Sequence, residues 1–371
     1  MKVGVPREIK PQEYRVGLTP MAVREYVSAG HEVVVQAGAG EGIGAADAAY
    51  VAAGARIVDT AKNVFQTADM IVKVKEPQPA EWKMLREGQI LFTYLHLAPD
   101  REQALGLLAS GCIGVAYETV TDDAGGLPLL APMSEVAGRL AIEAAAFSLR
   151  KPAGGKGLLL GGVPGVPPAR VVVIGGGVVG TQAARMAIGL GAEVTILDRS
   201  LPRLRQLDDL LMGRVRTRYS TAANIEEELV AADVVIGAVL IPGASAPKVI
   251  TRKMLAHMRP RSVLVDVSID QGGCFETSRA TTHEEPTYEV DNIIHYCVAN
   301  MPGAVPATSS HALNHATLPF GLALAAEGEM ALVRNAHLRH GLNIYRGKVT
   351  CPPVARALGL EAVTAESVLR M

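Results

Sequence analysis

The chain has few of the residues that are typical of disulfide-rich, metal-binding or nucleic-acid-binding proteins. Its 371 residues include four cysteines, at positions 112, 274, 297 and 351, and none of them forms a CxxC pair. Neither a zinc site nor a disulfide framework is therefore expected. The formal net charge is −1, so lysine and arginine are not in surplus. Because binding to a polyanion needs such a surplus, we expect no nucleic-acid partner.

Long apolar runs are also missing. Glycine, proline and charged residues interrupt every hydrophobic stretch before it reaches the ~18 residues that a membrane helix needs. Near the N-terminus, Pro6 comes before any apolar stretch of signal-peptide length. We therefore expect a cytoplasmic protein that does not associate with membranes. The proportions of hydrophobic (49%) and charged (20%) residues are those of a globular protein, and the length predicts about two domains.

Short β-branched runs alternate with helical patterns in both halves of the chain. The predicted strands are residues 2–5, 31–36, 70–74, 89–95 and 112–116 in the first half, and 170–174, 193–197, 234–237 and 262–267 in the second. This alternation predicts two parallel sheets that are covered by helices on both faces, which is a doubly wound α/β fold.

The predicted domain boundaries follow from three further stretches. Residues 134–150 are alanine-rich and predict a long helix, whereas residues 151–169 contain six glycines and four prolines and predict a surface connection. After Pro306 the chain becomes apolar through residues 318–326, as expected for a helix that returns to the first domain. We place one domain at residues 1–130 plus 307–371 and the other at 131–306.

The strongest motif is a glycine-rich turn in the second domain. The predicted strand 170–174 runs directly into GGGVVG, residues 175–180, and then into a helical pattern. This is GxGxxG in the strand-turn-helix setting that dinucleotide binding requires. Gly175 permits the tight turn, Gly177 lets the backbone approach a pyrophosphate, and Gly180 lets the helix pack closely on the strand.

An acidic residue follows the motif at the expected distance. Asp198 ends the next predicted strand, where its carboxylate can bind both ribose hydroxyls of a dinucleotide. This position favours NAD over NADP, because a 2′-phosphate would lie close to the carboxylate. Arg199 and Arg203 nearby leave some use of NADP open.

Polar residues follow several strands at the edge where parallel sheets bind ligands, and they are Arg15, Lys75, His96 and Asp270. Arg15 and Lys75 could be solvated charges, and His96 and Asp270 could be a polar strand end and a turn former. Together they suit oxidation of a small amino or hydroxy acid. The planar fork of Arg15 suits a carboxylate, and Lys75 suits a developing carbonyl oxygen. His96 can move the proton that hydride transfer leaves behind.

Five segments spread over essentially the whole chain are MKVGVPREIKPQEYRVGLTP at 1–20, KVKEP at 73–77, YLHLA at 94–98, SIDQGG at 268–273 and VANMPGAVP at 298–306. Together they closely resemble the corresponding segments of alanine dehydrogenases. The first and last are also similar to the NAD-binding subunit of proton-translocating transhydrogenase. The resemblance implies two doubly wound Rossmann-like domains with a cleft between them, assembled as a homohexamer. It makes 1–130 plus 307–371 the substrate domain and 131–306 the NAD-binding domain.

The resemblance also implies roles for individual residues. Arg15 and Lys75 would bind pyruvate or alanine, His96 would be the acid/base, and Asp270 would be a second catalytic residue. With the three glycines, the residues implied to line the NAD site are Ser134, Val178, Val179, Asp198, Arg203, Ser220, Val239, Leu240, Ile269, Arg279, Val298, Ala299, Asn300 and Met301.

Two of these assignments have competing interpretations. Residues 199–202 depart from the pattern expected around the adenosine ribose, which weakens the role of Arg203 relative to that of Asp198. Ser134 could instead be the N-cap of the predicted helix.

The implied activity is NAD-dependent interconversion of L-alanine with pyruvate and ammonia. Three alternatives stay open at this point. A transhydrogenase-type subunit would pass hydride to a partner protein, but the presence of both Lys75 and His96 and the lack of a membrane-anchoring extension count against it. A related dehydrogenase would act on a larger amino acid, but the match of the whole N-terminal domain favours the smaller substrate. A catalytically inactive NAD sensor is the third.

Overall fold

A computed structural model of the chain describes residues 1–239 and 246–371. The chain forms two compact units. The first consists of Met1–Met133 with Gly303–Met371, and the second of Ser134–Pro302. The boundaries expected from sequence, at 130/131 and 306/307, lie three and four residues from these.

The strands are short, and most are rich in valine and isoleucine, as expected for strands buried on both faces. They are β1 Lys2–Val5, β2 Glu32–Gln36, β3 Arg56–Val58, β4 Met70–Val72, β5 Ile90–Thr93, β6 Ile113–Ala116, β7 Arg170–Ile174, β8 Glu193–Asp198, β9 Arg216–Tyr219, β10 Val234–Gly237, β11 Val263–Asp266, β12 Thr287–Val290, β13 Ile293–Tyr296, β14 Leu342–Tyr345 and β15 Lys348–Val349.

The helices connect successive strands and close the chain. They are α1 Pro20–Ser28, α2 Asp47–Ala52, α3 Ala61–Thr67, α4 Pro79–Trp82, α5 Arg101–Ser110, α6 Ala131–Ser148, α7 Val178–Gly189, α8 Leu201–Leu210, α9 Ala222–Ala231, α10 Arg252–Leu255, α11 Pro306–Glu327, α12 Met330–Arg334, α13 Ala336–His340, α14 Pro352–Leu358 and α15 Ala365–Val368. Among the described residues, no helix combines the length and apolar character needed to cross a membrane.

The sheet of the first unit has the order β15-β14-β6-β5-β4-β1-β2-β3. Strands β1 to β6 pair in parallel, so their carboxyl ends lie along one edge of the sheet. Leu91 of β5 packs in the core with Leu107 of α5. The next residue, Phe92, lies against Gly321 of α11 on the opposite face. Helices therefore cover both faces, as the sequence predicts.

The sheet of the second unit has the order β12-β13-β11-β10-β7-β8-β9. Alternate residues of β7 face opposite ways. Val171 and Val173 join the core that contains residues of α6 and α7, whereas Val172 and Ile174 join the core that contains residues of α9 and α10. The doubly wound α/β fold is confirmed in this unit as well.

Two expectations need correction. The sheets are not purely parallel, because β14 pairs antiparallel with β6, β15 with β14, and β12 with β13. The long helix α6 begins at Ala131 rather than at Ser134. Since Pro132 falls in the first turn, where its missing N–H costs nothing, it does not delay the helix start. Ser134 is thus inside the helix, and its interpretation as the N-cap is wrong.

Candidate active site

The loop that carries Arg15 is held by hydrogen bonds between its own main chain and side chains of α11. Helix α11 contributes two buried polar side chains to this loop. Ser310 Oγ accepts a hydrogen bond from the Val16 amide at 3.2 Å, and Asn314 Oδ1 accepts one from the Thr19 amide at 2.7 Å. Asn314 Nδ2 also donates to the Gly17 carbonyl at 3.0 Å. The returning C-terminal segment therefore positions the first candidate residue.

Arg15 is buried, with only 2% of its surface exposed. Glu13 meets its guanidinium side-on, with Nε–Oε1 at 2.7 Å and Nη2–Oε2 at 2.6 Å. Nη1 lies 3.0 Å from Met133 Sδ. Burial opposes the charge, but the hydrogen bonds and charge of Glu13 raise the pKa of Arg15. Arg15 is therefore a fixed buried cation, and its interpretation as a solvated charge is wrong.

Lys75 follows β4 and is also buried, with 9% of its surface exposed. Its Nζ lies 3.7 Å from Glu76 Oε2, and Glu76 also pairs with Lys10 through its other oxygen. Burial opposes ionisation of Glu76, but the charges of Lys75 and Lys10 lower its pKa. A carboxylate therefore lies beside the candidate lysine. Lys75 is not a solvated charge either.

A second ion cluster, which is fully buried, is formed by Lys73 on the segment that leads to Lys75. Lys73 Nζ lies 2.9 Å from Glu8 Oε2 and 2.8 Å from Glu81 Oε1. Glu8 Oε1 accepts a hydrogen bond from the Val74 amide at 2.7 Å. Burial raises the pKa of Glu8, although Lys73 opposes this. The cluster ties the first loop and α4 to the strand end that presents Lys75.

His96 follows β5 and has a left-handed backbone conformation, with φ of 46°. Its ring stacks on that of Tyr94, with the centroids 5.7 Å apart and the planes at 11°. The Tyr94 hydroxyl donates to the Leu129 carbonyl at 2.5 Å. Burial raises the pKa of Tyr94, so it stays a neutral phenol, although Arg15 nearby opposes the shift. The tyrosine is a rigid platform for the histidine.

The first unit thus groups three of the predicted residues at the carboxyl edge of its sheet. The charge of Arg15 acts on Tyr94, and the Tyr94 ring stacks on that of His96. Lys75 follows β4, which pairs in parallel with the strand β5 that precedes His96. This arrangement can bind a small carboxylate and move one proton next to it. Sequence reasoning did not find Glu76, Tyr94 or the Lys73 cluster. Lys73 and Glu76 lie in the segment KVKEP and Tyr94 lies in YLHLA, but the acidic partners of Lys73 lie in neither segment.

In the second unit the glycine turn has the geometry that its sequence predicts. Gly175 has φ of 102°, and a Cβ there would lie 2.4 Å from the Ala238 carbonyl oxygen. A Cβ on Gly180 would lie 1.8 Å from the Gly175 carbonyl oxygen. Gly177, the residue before α7, has no atom within 4 Å of such a Cβ. The turn is closed on the protein side and open where a pyrophosphate would approach.

Asp198 and Arg203 both bind the glycine turn. Asp198 Oδ2 accepts a hydrogen bond from the Gly176 amide at 2.7 Å, and Oδ1 accepts one from the Ser200 amide at 2.7 Å. Arg203 Nε donates to the Gly176 carbonyl at 2.7 Å, and its Nη2 donates to Thr181 Oγ1 at 2.8 Å. The Ser220 amide donates to the Asp198 carbonyl at 3.0 Å, which places Ser220 beside this group.

Asp270 lies on a 3-10 helix, Val267–Gln271, after β11. Its side chain is exposed within this unit. The buried Asp266 anchors the loop, accepting from the amides of Ser268 at 3.0 Å and Cys274 at 2.8 Å. Ser268 Oγ donates to the Val239 carbonyl at 2.7 Å, which joins the ends of β10 and β11. The structure therefore gives the turn-forming role to Asp266, a residue that the sequence did not single out, and not to Asp270.

The other residues predicted to bind the cofactor differ in exposure. Val178 at the start of α7 and Arg279 are exposed, and the Arg279 guanidinium lies 4.0 Å from the Tyr288 ring centroid. Val298 and Met301 bury their side chains in the core of this unit. The remaining positions are partly or fully buried, and they are Ser134, Val179, Ile269, Ala299 and Asn300. Leu240 lies outside the described residues.

Comparisons with known proteins agree over the whole chain. The model of the alanine dehydrogenase/PNT N-terminal domain matches residues 4–137, and that of the C-terminal domain matches residues 141–352. An alanine dehydrogenase of Halomonas elongata is 60% identical over 100% of both chains. A solved L-alanine dehydrogenase superposes with a TM-score of 0.94 at 50% identity, over 97% of this chain and 99% of that one. A transhydrogenase from Sinorhizobium meliloti does so with a TM-score of 0.80 at 27% identity, over 95% and 99%. The chain therefore belongs to the alanine dehydrogenase/PNT family.

Proposed function

We propose that the protein is an NAD-dependent L-alanine dehydrogenase, which converts alanine to pyruvate and ammonia and catalyses the reverse reductive amination. The observation that carries this proposal is the group formed by buried Arg15, buried Lys75 and His96 at one sheet edge. The name and 60% identity of the Halomonas elongata relative support the same substrate. The transhydrogenase is a more distant match, at 27%.

Arg15 and Lys75 would hold the substrate. Both cations are desolvated, so an arriving carboxylate interacts with them more strongly than it would with exposed charges. Glu13 already orders the Arg15 fork, which limits the entropy lost when a ligand binds. Lys75 would donate to the oxygen that develops on Cα of the substrate as pyruvate forms.

NAD would fit the second unit, since Gly177 leaves room for a pyrophosphate at the N-terminus of α7. Asp198 lies at the end of β8, where it can accept from the ribose hydroxyls. When bound, the nicotinamide supplies a hydride acceptor for the Cα hydrogen of alanine. Side chains of the protein then accept and donate the protons that the reaction releases and takes up.

His96 would be the acid/base. Once alanine has lost hydride, its nitrogen and Cα form an iminium, and water adds to Cα. His96 removes a proton from that water as the new C–O bond forms. The protonated His96 then donates its proton to the nitrogen of the carbinolamine, so that the C–N bond breaks and ammonia leaves. The hydroxyl oxygen becomes the carbonyl oxygen of pyruvate as its proton passes back to His96. We propose that Asp270 positions the water or amine and balances the positive charge of the iminium.

We further propose that the protein is cytoplasmic, that its partners are small molecules rather than nucleic acid or membranes, and that it assembles as a homohexamer. The support for these points is the charge balance of the chain and its resemblance to the family. Size-exclusion chromatography with light scattering would measure the assembly directly.

The deciding experiment is NADH oxidation by the purified chain with pyruvate and ammonium. We expect NADH consumption only when all three are present, and much slower consumption with NADPH, because Asp198 would lie close to a 2′-phosphate. NADH binding without turnover would instead support the inactive sensor. Hydride exchange between two nucleotides, without pyruvate, would support the transhydrogenase-type alternative.

A further inference from the structure

Glu118 reaches the main chain at His96 from the neighbouring strand. It lies in a 3-10 helix, Tyr117–Thr119, directly after β6, which pairs in parallel with β5. Its Oε1 accepts a hydrogen bond from the His96 amide at 2.7 Å. The Leu95 amide donates to both carboxylate oxygens at 3.2 Å. One carboxylate thus binds two consecutive amides at the end of the strand.

The conformation at His96 needs such support. A residue with a side chain at φ of 46° is in a sparsely populated region, and such conformations persist only where surrounding contacts impose them. Here both the carbonyl and the amide of the peptide unit between Leu95 and His96 are hydrogen-bonded. Gln103 Nε2, which is buried on α5, donates to the Leu95 carbonyl at 2.8 Å, and Glu118 takes the amides.

The direction of the imidazole depends on this backbone. A change of φ at His96 would swing its Cβ and lift the ring from Tyr94, on which it stacks at 5.7 Å. Charge-assisted hydrogen bonds to a carboxylate are roughly twice as strong as neutral ones, so Glu118 makes the strongest of these contacts. We propose that Glu118 is a positioning residue, which holds His96 in the left-handed conformation that aims its ring at the substrate. This inference rests on the proposed role of His96.

The test compares Glu118→Ala with Glu118→Gln. Gln keeps an oxygen that can accept from both amides, so this variant should retain most of the wild-type kcat. Ala removes the acceptor, and kcat for reductive amination should fall about 10- to 100-fold, as a displacement of ~1 Å can cause. The KM for NADH should not change in either variant, since the change is in the first unit and the proposed cofactor residues are in the second.

Asp69→Ala is the matched control. Asp69 also accepts a main-chain hydrogen bond between neighbouring strands, from the Lys2 amide at 2.8 Å, but it lies at the amino end of the same sheet. This variant removes a main-chain contact at the opposite end of the strands, so it should keep kcat, and the melting temperatures of both variants are measured beside the kinetics. A general loss of packing would lower kcat in both variants.

His96→Ala separates this inference from the function on which it rests. If His96→Ala retains activity, the proposed acid/base role fails. If His96→Ala is inactive but Glu118→Ala keeps its kcat, only the positioning role fails. A Glu118→Gln variant as slow as Glu118→Ala would also overturn it. So would a crystal structure of Glu118→Ala in which His96 keeps its left-handed φ although kcat is lost.

Discussion

His96 combines a titratable ring with a backbone that its neighbours fix, and its loss should affect chemistry more than binding. For His96→Ala we expect kcat to fall by at least about 10²-fold, because general acid/base catalysis contributes on that scale. NADH affinity, measured by fluorescence titration, should stay nearly unchanged, because the predicted cofactor residues belong to the second unit. Substantial residual turnover would contradict the acid/base role.

Lys75 is the other residue whose role is open to a direct kinetic test. Lys75→Met keeps much of the side-chain volume but removes the buried cation, so the substrate carboxylate or carbonyl loses a desolvated partner. We expect the pyruvate KM to rise about 10-fold or more, or saturation to be lost, which corresponds to at least ~1.4 kcal/mol of binding. Lys83→Met, at an exposed lysine on the same unit, is the control and should leave the pyruvate KM unchanged. An unchanged KM in Lys75→Met would remove this lysine from the substrate site.

The glycine turn and helix α7 allow cofactor binding to be separated from folding. Gly177→Ala adds a methyl group that meets no atom within 4 Å, so the free energy of unfolding should change by less than about 1 kcal/mol. The same methyl group would stand where a pyrophosphate approaches, and NADH should bind at least about 10-fold more weakly. Gly189→Ala, at the other end of α7, also meets open space and should leave NADH affinity unchanged. Equal NADH affinity in the wild type and Gly177→Ala would contradict the cofactor site.

The elements that sequence patterns predicted well are the buried ones. β1, β7 and β10 begin and end at the predicted residues. In β7 and β10, continuous runs of valine and isoleucine distinguish a strand buried on both faces. β9, with the sequence RTRY, was missed. It is an edge strand with charged, partly exposed side chains, so it carries no hydrophobic pattern. The short strands β3, β12 and β15, which are also at or near sheet edges, were missed as well. So were β13 and β14, which are buried but contain His295 and Asn343 within their four residues and so carry no continuous apolar run.

The candidate site residues also fall into two groups, those that the sequence predicts and those that it does not. The glycine turn and His96 were predictable, since a motif or a strand end marks each of them in the sequence. The partners of these residues were not. Glu118 lies 22 positions from His96 and Glu8 lies 65 positions from Lys73 along the chain. Only the order of the strands in the sheet brings them together, and no local pattern reports that order.

At the scale of the whole molecule, the candidate residues are divided between two separately packed units. Arg15, Lys75 and His96 belong to the first, whereas the glycine turn, Asp198 and Asp270 belong to the second. Each group lies at the carboxyl edge of its own parallel strands, where open α/β sheets bind ligands. The two ligands of the proposed reaction should therefore protect different parts of the chain.

Amide hydrogen exchange measured by mass spectrometry can test this division. NADH alone should slow exchange in peptides that cover 175–181 and 198–203, because binding opposes local opening of the turn that it contacts. Adding pyruvate without ammonium, so that no turnover occurs, should then slow exchange in peptides that cover 13–17, 73–77 and 94–98. The Gly177→Ala variant should lose the first effect at the same NADH concentration, and Gly189→Ala should keep it. If NADH protects the loops of the first unit but leaves the glycine turn unchanged, the assignment of the cofactor to the second unit is wrong.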